Sequence, residues 1–462
     1  MDEKSINMQL VRRDPDRVRG YKKLLDFYQG QHWQSRERLG EKHLTFNYAR
    51  VFIDKVTSYL MSGMKFAVDA VQDSEETRGQ ARRAEQALYQ VYQENSLDQL
   101  DFETEIDCAV LGDACYKVIW DTEQKRVRIT APDVQGIYAW WLGDDVSRVW
   151  RVASKYTLTA EETELLYGVK PVGKTSNIIE LWTALDFELY QDNTLVEKKS
   201  NPYGFIPFVI YPNLREPKKF WGMSDLPQVM ESQRELNRAM SQLSRILELS
   251  GNPIAVLENV EESEDIAVRP GAVWNVPEDA KAYLLDLLQG GGVRLHVDYV
   301  NLLYRILHDV SESPRAAFGG TERDLSGVAM EIELQPLLQK IRRKRLIRTP
   351  AYNRRNAMIL KLLERYRGEQ FGDNYLRVVW APVLPQDTSR LVSNEQALVQ
   401  TGIHSRRMAM DELGVKDPEY EFDRWLAERK AILGMNHDFS AKSTRGGGRE
   451  RALQSQAEGV EE

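Results

Sequence analysis

The stretch after Gly222 constrains this chain more than any other. Ser224 or Asp225 can cap a helix there, and Pro227 falls in the first turn, where a missing N–H costs nothing. Apolar residues then recur at Leu226, Val229, Leu236, Met240, Leu243 and Leu247, close to a heptad with one polar lapse at Gln233. The pattern predicts one uninterrupted helix of about 26 residues, roughly 39 Å long at 1.5 Å per residue, ending at Gly251-Asn252-Pro253.

A second helix is expected beyond Gly290-Gly291-Gly292, through Val293, Val297, Val300, Leu303, Ile306, Leu307 and Val310, stopping before Pro314. The two long helices enclose an insert with short strand-like runs, a Pro270-Gly271 turn and an acidic cluster of Glu258, Glu261, Glu262, Glu264 and Asp265. A polar loop, FGGTERDLSG, follows. The next helical stretch, from about Ser326 to Tyr366, contains Pro336 and Pro350, so it should be kinked or segmented.

On the N-terminal side, residues 20–65 read as helical, with a turn between YKKLLDFYQG and FNYARVFIDKVTSYLMSG and Gly63 as a stop, and residues 81–111 as amphipathic helices broken near Asn95 and Ser96. From Ala114 to about Val209 the pattern turns to turn-bounded β runs such as CYKVIW, RVRITA, IYAWWL and IIELWTAL. After a strand-like RVVWAPVLP, helix punctuation is dense. Asp387 or Thr388 opens a helix that Gly402 closes, Ser405 opens one that Gly414 closes, and Asp417-Pro418 opens a third. The glycine-rich segment after about Ser440 is expected to be a flexible tail. The fold class is therefore α+β, mainly helical.

The function classes narrow next. Among 462 residues, 62 Lys plus Arg stand against 70 Asp plus Glu, a net charge of −8, which argues against affinity gained by blanketing phosphates. No stretch approaches eighteen apolar residues, and Phe205–Leu214 is short and holds two prolines, so no membrane partner is expected. The charged first residues hold no apolar signal core, and Cys108 with Cys115 read as small core side chains in a reducing compartment.

Gly168, Gly173, Lys174 and Thr175 spell GxxxxGKT, a phosphate-binding pattern that works only between an entering strand and a leaving helix. Here a short helix capped by Thr159 is expected before it and a strand after it, and Pro171 removes an N–H from the cradle. The six histidines form no metal-spaced pair, so no metal site or cofactor is expected, and no catalytic residue is assigned. The basic run Lys340–Arg348 reads as the polar face of a helix whose apolar side is Ile341, Leu346 and Ile347, with a phosphate or partner contact as the alternative.

Six segments in this order resemble portal (connector) proteins of tailed double-stranded DNA phages: NYARVFIDKVTSYLMSG (47–63), AVLGDACYKVIWD (109–121), NPYGFIPFVIYPN (201–213), SDLPQVMESQRELNRAMSQLSRILE (224–248), LSGVAMEIELQPLLQK (325–340) and TGIHSRRMAMDELGVKDPEYEFDRWLAE (401–428). The resemblance spans roughly residues 20–435. It implies an N-terminal wing (1–223), stem helices (224–250 and 291–312), a clip (251–290), a tunnel loop (313–326), a kinked wing helix and strand (327–386), a helical crown (387–440) and a tail (441–462).

It further implies a homo-oligomeric ring of twelve at one capsid vertex, through which terminase packages double-stranded DNA and from which DNA is later ejected. Head-to-tail adaptors, capsid and scaffolding proteins would be the other partners, in a virion component assembled in the host cytoplasm. The implied DNA-channel residues are Gly319, Gly320, Thr321, Glu322, Arg323, Asp324 and Leu325. The implied terminase- or adaptor-facing residues are Glu258, Glu261, Glu262, Glu264, Asp265 and Arg269. Twelve copies at −8 each carry about −96, a field that opposes adhesion of DNA. The competing readings are a nucleotide-driven packaging enzyme using residues 168–175, and another ring-forming connector.

Overall fold

A computed structural model describes residues 6–33, 42–72, 74–168, 173–251, 254–258, 281–285, 292–319, 327–384, 388–415, 418 and 420–432. It divides into two units, residues 1–383 and 384–462.

Helices dominate the start of the first unit: α1 (Ile6–Arg13), α2 (Pro15–Tyr28) and α3 (Tyr48–Leu60), the last capped by Asn47, which accepts the Arg50 N–H. Among the described residues, 29–33 and 42–47 separate α2 from α3, where the turn is expected, and β1 (Met64–Ala70) begins directly after the stop at Gly63. Gly63 has φ +63°, and a Cβ there would lie 2.6 Å from that of Ala381, so only glycine serves where the chain turns against its partner strand. Then come α4 (Glu75–Glu94) and α5 (Leu97–Leu111), broken at Asn95–Ser96 as the sequence predicts. Cys108 and Cys115 do not share a helix face: α5 ends between them, and both are buried and free.

Two sheets follow. β2 (Asp113–Asp121), β3 (Arg126–Thr130) and β9 (Phe208–Pro212) form one in the order β3-β2-β9. β4 (Ile137–Leu142), β5 (Asp145–Thr159), β6 (Thr175–Thr183), β7 (Asp186–Gln191) and β8 (Thr194–Ser200) form an antiparallel meander, with α6 (Ala160–Tyr167) between β5 and β6. β8 escapes the sequence reading because both of its faces are exposed and it shows no alternation. A two-residue ladder pairs β10 (Leu214–Arg215) with β11 (Gly222–Met223).

The long helix predicted after Gly222 is α7 (Pro227–Gly251). Its polar lapse has a use: the Gln233 Oε1 accepts the Ala49 N–H (3.2 Å) and its Nε2 donates to the Phe46 carbonyl (2.6 Å). One and two turns on, Asn237 accepts from Phe46 N–H and Ser241 from Leu44 N–H, so a polar line on α7 satisfies the extended backbone before α3. A hairpin of β12 (Ile254–Glu258) and β13 (Lys281–Leu285) leads to α8 (Gly292–Val310), which runs back antiparallel to α7, with the Tyr299 hydroxyl 3.3 Å from Glu235.

The third helical stretch is segmented as Pro336 requires, into α9 (Gly327–Glu333) and α10 (Gln335–Arg367), whereas Pro350 is carried inside a continuous helix. β14 (Asn374–Trp380) closes the unit by pairing antiparallel with β1, some 310 residues away in sequence. The second unit holds α11 (Thr388–Gln400), α12 (Arg406–Glu412), capped by Ser405 and ended by Gly414 at φ +77°, and helical backbone at 418 and 420–432. The expected tail from 441, and Asp417, lie outside the described residues.

Candidate functional site

The root of the α7–α8 pair is where the chain concentrates its buried charge. Helix α5 ends at Gly112 (φ +95°), where a Cβ would sit 2.8 Å from the Ser224 nitrogen. That close approach lets the start of α7 dock on the free carbonyls of α5: Ser224 Oγ donates to Val110 O (2.6 Å) and Asp225 N–H to Ala109 O (2.9 Å). Asp225 is thereby held inside, facing one side of α10.

On that side Lys340, Lys344 and Arg348 recur every four residues, with Arg355 two turns further along, and all four are buried, the two arginines at 0 % exposure. Lys344 Nζ lies 2.6 Å from Asp225 Oδ2 and Lys340 Nζ 3.5 Å from Oδ1. Arg348 grips Glu105 through Nε (3.0 Å) and Nη2 (2.9 Å), while its Nη1 donates to the Pro212 carbonyl (3.2 Å). Arg355 pairs with Asp101, donates to the Tyr92 hydroxyl (2.7 Å) and sits among the rings of Tyr92, Tyr116 and Tyr352. Burial alone would raise the Asp225 carboxyl, but Lys340 and Lys344 overcome it and hold the group well below the carboxylate range. Burial also lowers the Lys344 ammonium, against the opposing pull of Asp225.

The same helix secures the exit of α8. His308 is buried edge-on against Phe52, Tyr304 and Phe318, and its Nδ1 lies 2.6 Å from the Ser313 carbonyl. A carbonyl only accepts, so Nδ1 carries the proton. Nε2 is then a buried acceptor with no partner among the described residues, and burial lowers the ring's pKa from its ordinary 6.5. Glu312 takes the left-handed conformation (φ +52°), and Arg343 Nη2 reaches both of its carboxylate oxygens (2.7 and 2.5 Å). Lys340 donates to Ser311 O (3.0 Å), and a 3-10 turn, Arg315–Phe318, ends at Gly319 with φ +82°. The chain entering residues 320–326 is thus tied to α10, and α10 with α9 forms the chain that leaves them.

The sequence profile of phage portal proteins, SPP1 Gp6-like, matches residues 9–434. The chain belongs to that family. Portal proteins are virion components of bacteriophages, placed at a capsid vertex and serving DNA packaging, and the family is generally structural rather than enzymatic. No curated protein matches the chain.

In this portal protein two of the sequence-implied contact residues fall within the described structure. Gly319 caps the 3-10 turn that precedes residues 320–326. Glu258 ends β12 exposed, opposite Lys281, and accepts from the Tyr283 hydroxyl (3.2 Å). Gly320, Thr321, Glu322, Arg323, Asp324 and Leu325, and Glu261, Glu262, Glu264, Asp265 and Arg269, lie outside the described residues.

The GxxxxGKT match connects α6, capped by Thr159 with a reciprocal Glu162 contact, to β6. Gly168 is the left-handed C-cap of α6 and the Lys174 carbonyl accepts from Ala160 N–H, so helix precedes and strand follows, the reverse of a phosphate cradle. Residues 169–172 lie outside the described residues.

Contrary to the expectation of a solvated polar face, one line of the basic run is interior. Leu346, expected on the apolar side, is 71 % exposed, while Lys344 and Arg348 are buried. Paired carboxylates on α5 and at the start of α7 make the interior accept these cations, and periodicity alone carries no information about distant partners. A signal was present in the four-residue spacing of Lys340, Lys344 and Arg348 and the matching spacing of Asp101 and Glu105. Among the described residues no helix is long and apolar enough to cross a membrane.

Proposed function

We propose that this portal protein assembles as a ring of twelve subunits whose central channel conducts double-stranded DNA into the capsid during packaging and out during ejection. In this reading α7 and α8 are stem helices, the insert 251–290 is a clip facing terminase and later the head-to-tail adaptors, and 313–326 is a tunnel loop touching the duplex. The observation that carries it is the layout of the α7–α8 pair. The insert joins the two helices at one end, and the loop root, braced by His308, Lys340 and Arg343, lies at the other, so one pair of helices links a docking element to a DNA-facing one. A net charge of −8 suits a conduit, since each neutralised phosphate would deepen a trap for sliding DNA.

Electron microscopy of the purified chain is expected to show rings with a central hole. Twelve copies of 53.3 kDa should appear at about 640 kDa by light scattering. A species that stays at 53.3 kDa at every concentration would count decisively against the ring.

Deleting residues 319–325 is expected to leave ring assembly intact and to reduce packaged DNA at least about tenfold, because in this reading the segment serves the duplex. Packaging at the wild-type level by the deleted ring would remove the loop from the mechanism. The GxxxxGKT reading predicts ATP binding that Lys174→Ala abolishes; the helix-to-strand order predicts no binding by either protein.

A further inference from the structure

The α7–α8 pair buries one seam and leaves a second apolar line uncovered. Val300, Leu303, Leu307 and Val310 of α8 pack inward with α7 in one core that also holds Val229 and Leu236. Leu295, Tyr299 and Leu302 are 72, 39 and 52 % exposed. With half-buried Ile306 they recur at four, three and four residues, which confines them to a strip of about 60° centred roughly 90° from the seam. Isolated surface hydrophobics are ordinary; an aligned series on a helix already buried along another side is the pattern of an interface.

The outer line of α7, by contrast, is polar: Glu231, Arg238 and Gln242 are exposed at positions seven and four residues apart. The Tyr299–Glu235 contact sets the heights of the two antiparallel helices. Counting 1.5 Å per residue from it, Arg305 lies within about 3 Å of the height of Glu231, and Asp298 within about 3 Å of the height of Arg238. Exposed charges flanking the apolar line of α8 therefore stand level with charges of opposite sign on the outer line of α7.

We infer that the line Leu295–Tyr299–Leu302 is the face on which the α7 of a second copy of this chain docks, with Arg305 meeting the neighbour's Glu231 and Asp298 meeting its Arg238. The inference rests on the ring reading above and names its lateral contact. Rotation about an axis along the helix pair keeps every copy at the same height, so level opposite charges within one chain become facing opposite charges between neighbours. Leu295, level with residue 239, would cover the aliphatic stems of Arg238 and Gln242 while their polar heads stay at the rim. The contact is heterologous, α8 on α7, which closes into a ring instead of ending at a dimer.

The test uses the full chain in four forms: wild type, Leu302→Asp, Arg305→Glu, and Arg305→Glu with Glu231→Arg. Leu302 and Arg305 are exposed in the single subunit, so the melting temperature of the unassembled chain is expected to match wild type in every form. Sedimentation velocity across a concentration series should show Leu302→Asp and Arg305→Glu needing at least about ten times more protein for half assembly. The double variant should return to within about threefold of wild type.

Assembly of Leu302→Asp at the wild-type concentration overturns the inference and leaves the apolar line to a different partner. A double variant no better than Arg305→Glu alone overturns the charge register. Wild type that never assembles overturns the ring reading itself, a result distinct from either.

Discussion

Replacing Arg348 with methionine is expected to destabilise the first unit by about 3–5 kcal/mol, the cost of breaking a fully buried ion pair by removing one partner. The substitution leaves the Glu105 carboxylate inside without its guanidinium, and takes a donor from the Pro212 carbonyl and another from the Asn213 side chain. Methionine fills much of the same volume, so the loss is electrostatic rather than a cavity. Urea unfolding at pH 7 should show the drop as a lower midpoint at unchanged slope.

Two companion variants identify its origin. Arg348→Met with Glu105→Leu should regain most of the lost stability, because both desolvated charges are then gone. Arg343→Met, which breaks a half-exposed pair with Glu312, should cost less than about 1 kcal/mol. An Arg348→Met midpoint indistinguishable from wild type would show that the buried pair does not stabilise the fold.

Asp225→Asn is expected to cost a similar amount at neutral pH, about 3–5 kcal/mol, with a pH dependence of its own. Asp225 is the carboxylate that Lys340 and Lys344 share. In wild type its pKa is held below the ordinary 3.8, so the stability it contributes is present above about that pH and fades as acid protonates it. In the variant the buried Lys344 ammonium loses its counter-charge, and its proton affinity, already lowered by burial from the ordinary lysine value of 10.5, falls further.

Between that lowered folded-state value and 10.5 the unfolded chain binds more protons than the folded one, so stability rises with pH there. The deficit of Asp225→Asn should accordingly shrink as the pH rises toward the ordinary lysine value of 10.5, read as converging urea midpoints. A deficit constant across that range would mean that the lysines keep their charge by another route. The same node joins the start of α7, the turn after α8 and the first third of α10, so the variant is also expected to loosen the chain that enters residues 320–326.

Much of the fold was legible in the order of residues because its signals are local. Pro227 and the heptad of Leu226, Val229, Leu236 and Met240 specify α7. Thr159 with Glu162 and Ser405 with Gly414 mark helix ends, and Asn95–Ser96 separates α4 from α5. Six ordered segments resembled the family that the profile over residues 9–434 then showed.

What stayed hidden depended on partners distant in sequence. β1 gave no separate signal, since its hydrogen bonds are made with β14 about 310 residues later. Gln233 looked like an error in a heptad until the backbone before α3 supplied the groups it satisfies. The basic run looked like a solvated face because charge normally stays in water, and only Glu105, Asp101 and Asp225, brought against α10 by the folding of α5 and the start of α7, reverse that expectation.

The sequence by itself determined the helices, their stops and the family, since capping, periodicity and proline act within a few residues of one another. The tertiary structure alone decided which cations are interior, which apolar line of α8 is left uncovered and why Glu312 is held in a left-handed turn. Those outcomes are set by charge pairing and close packing between segments that only the folded chain brings together.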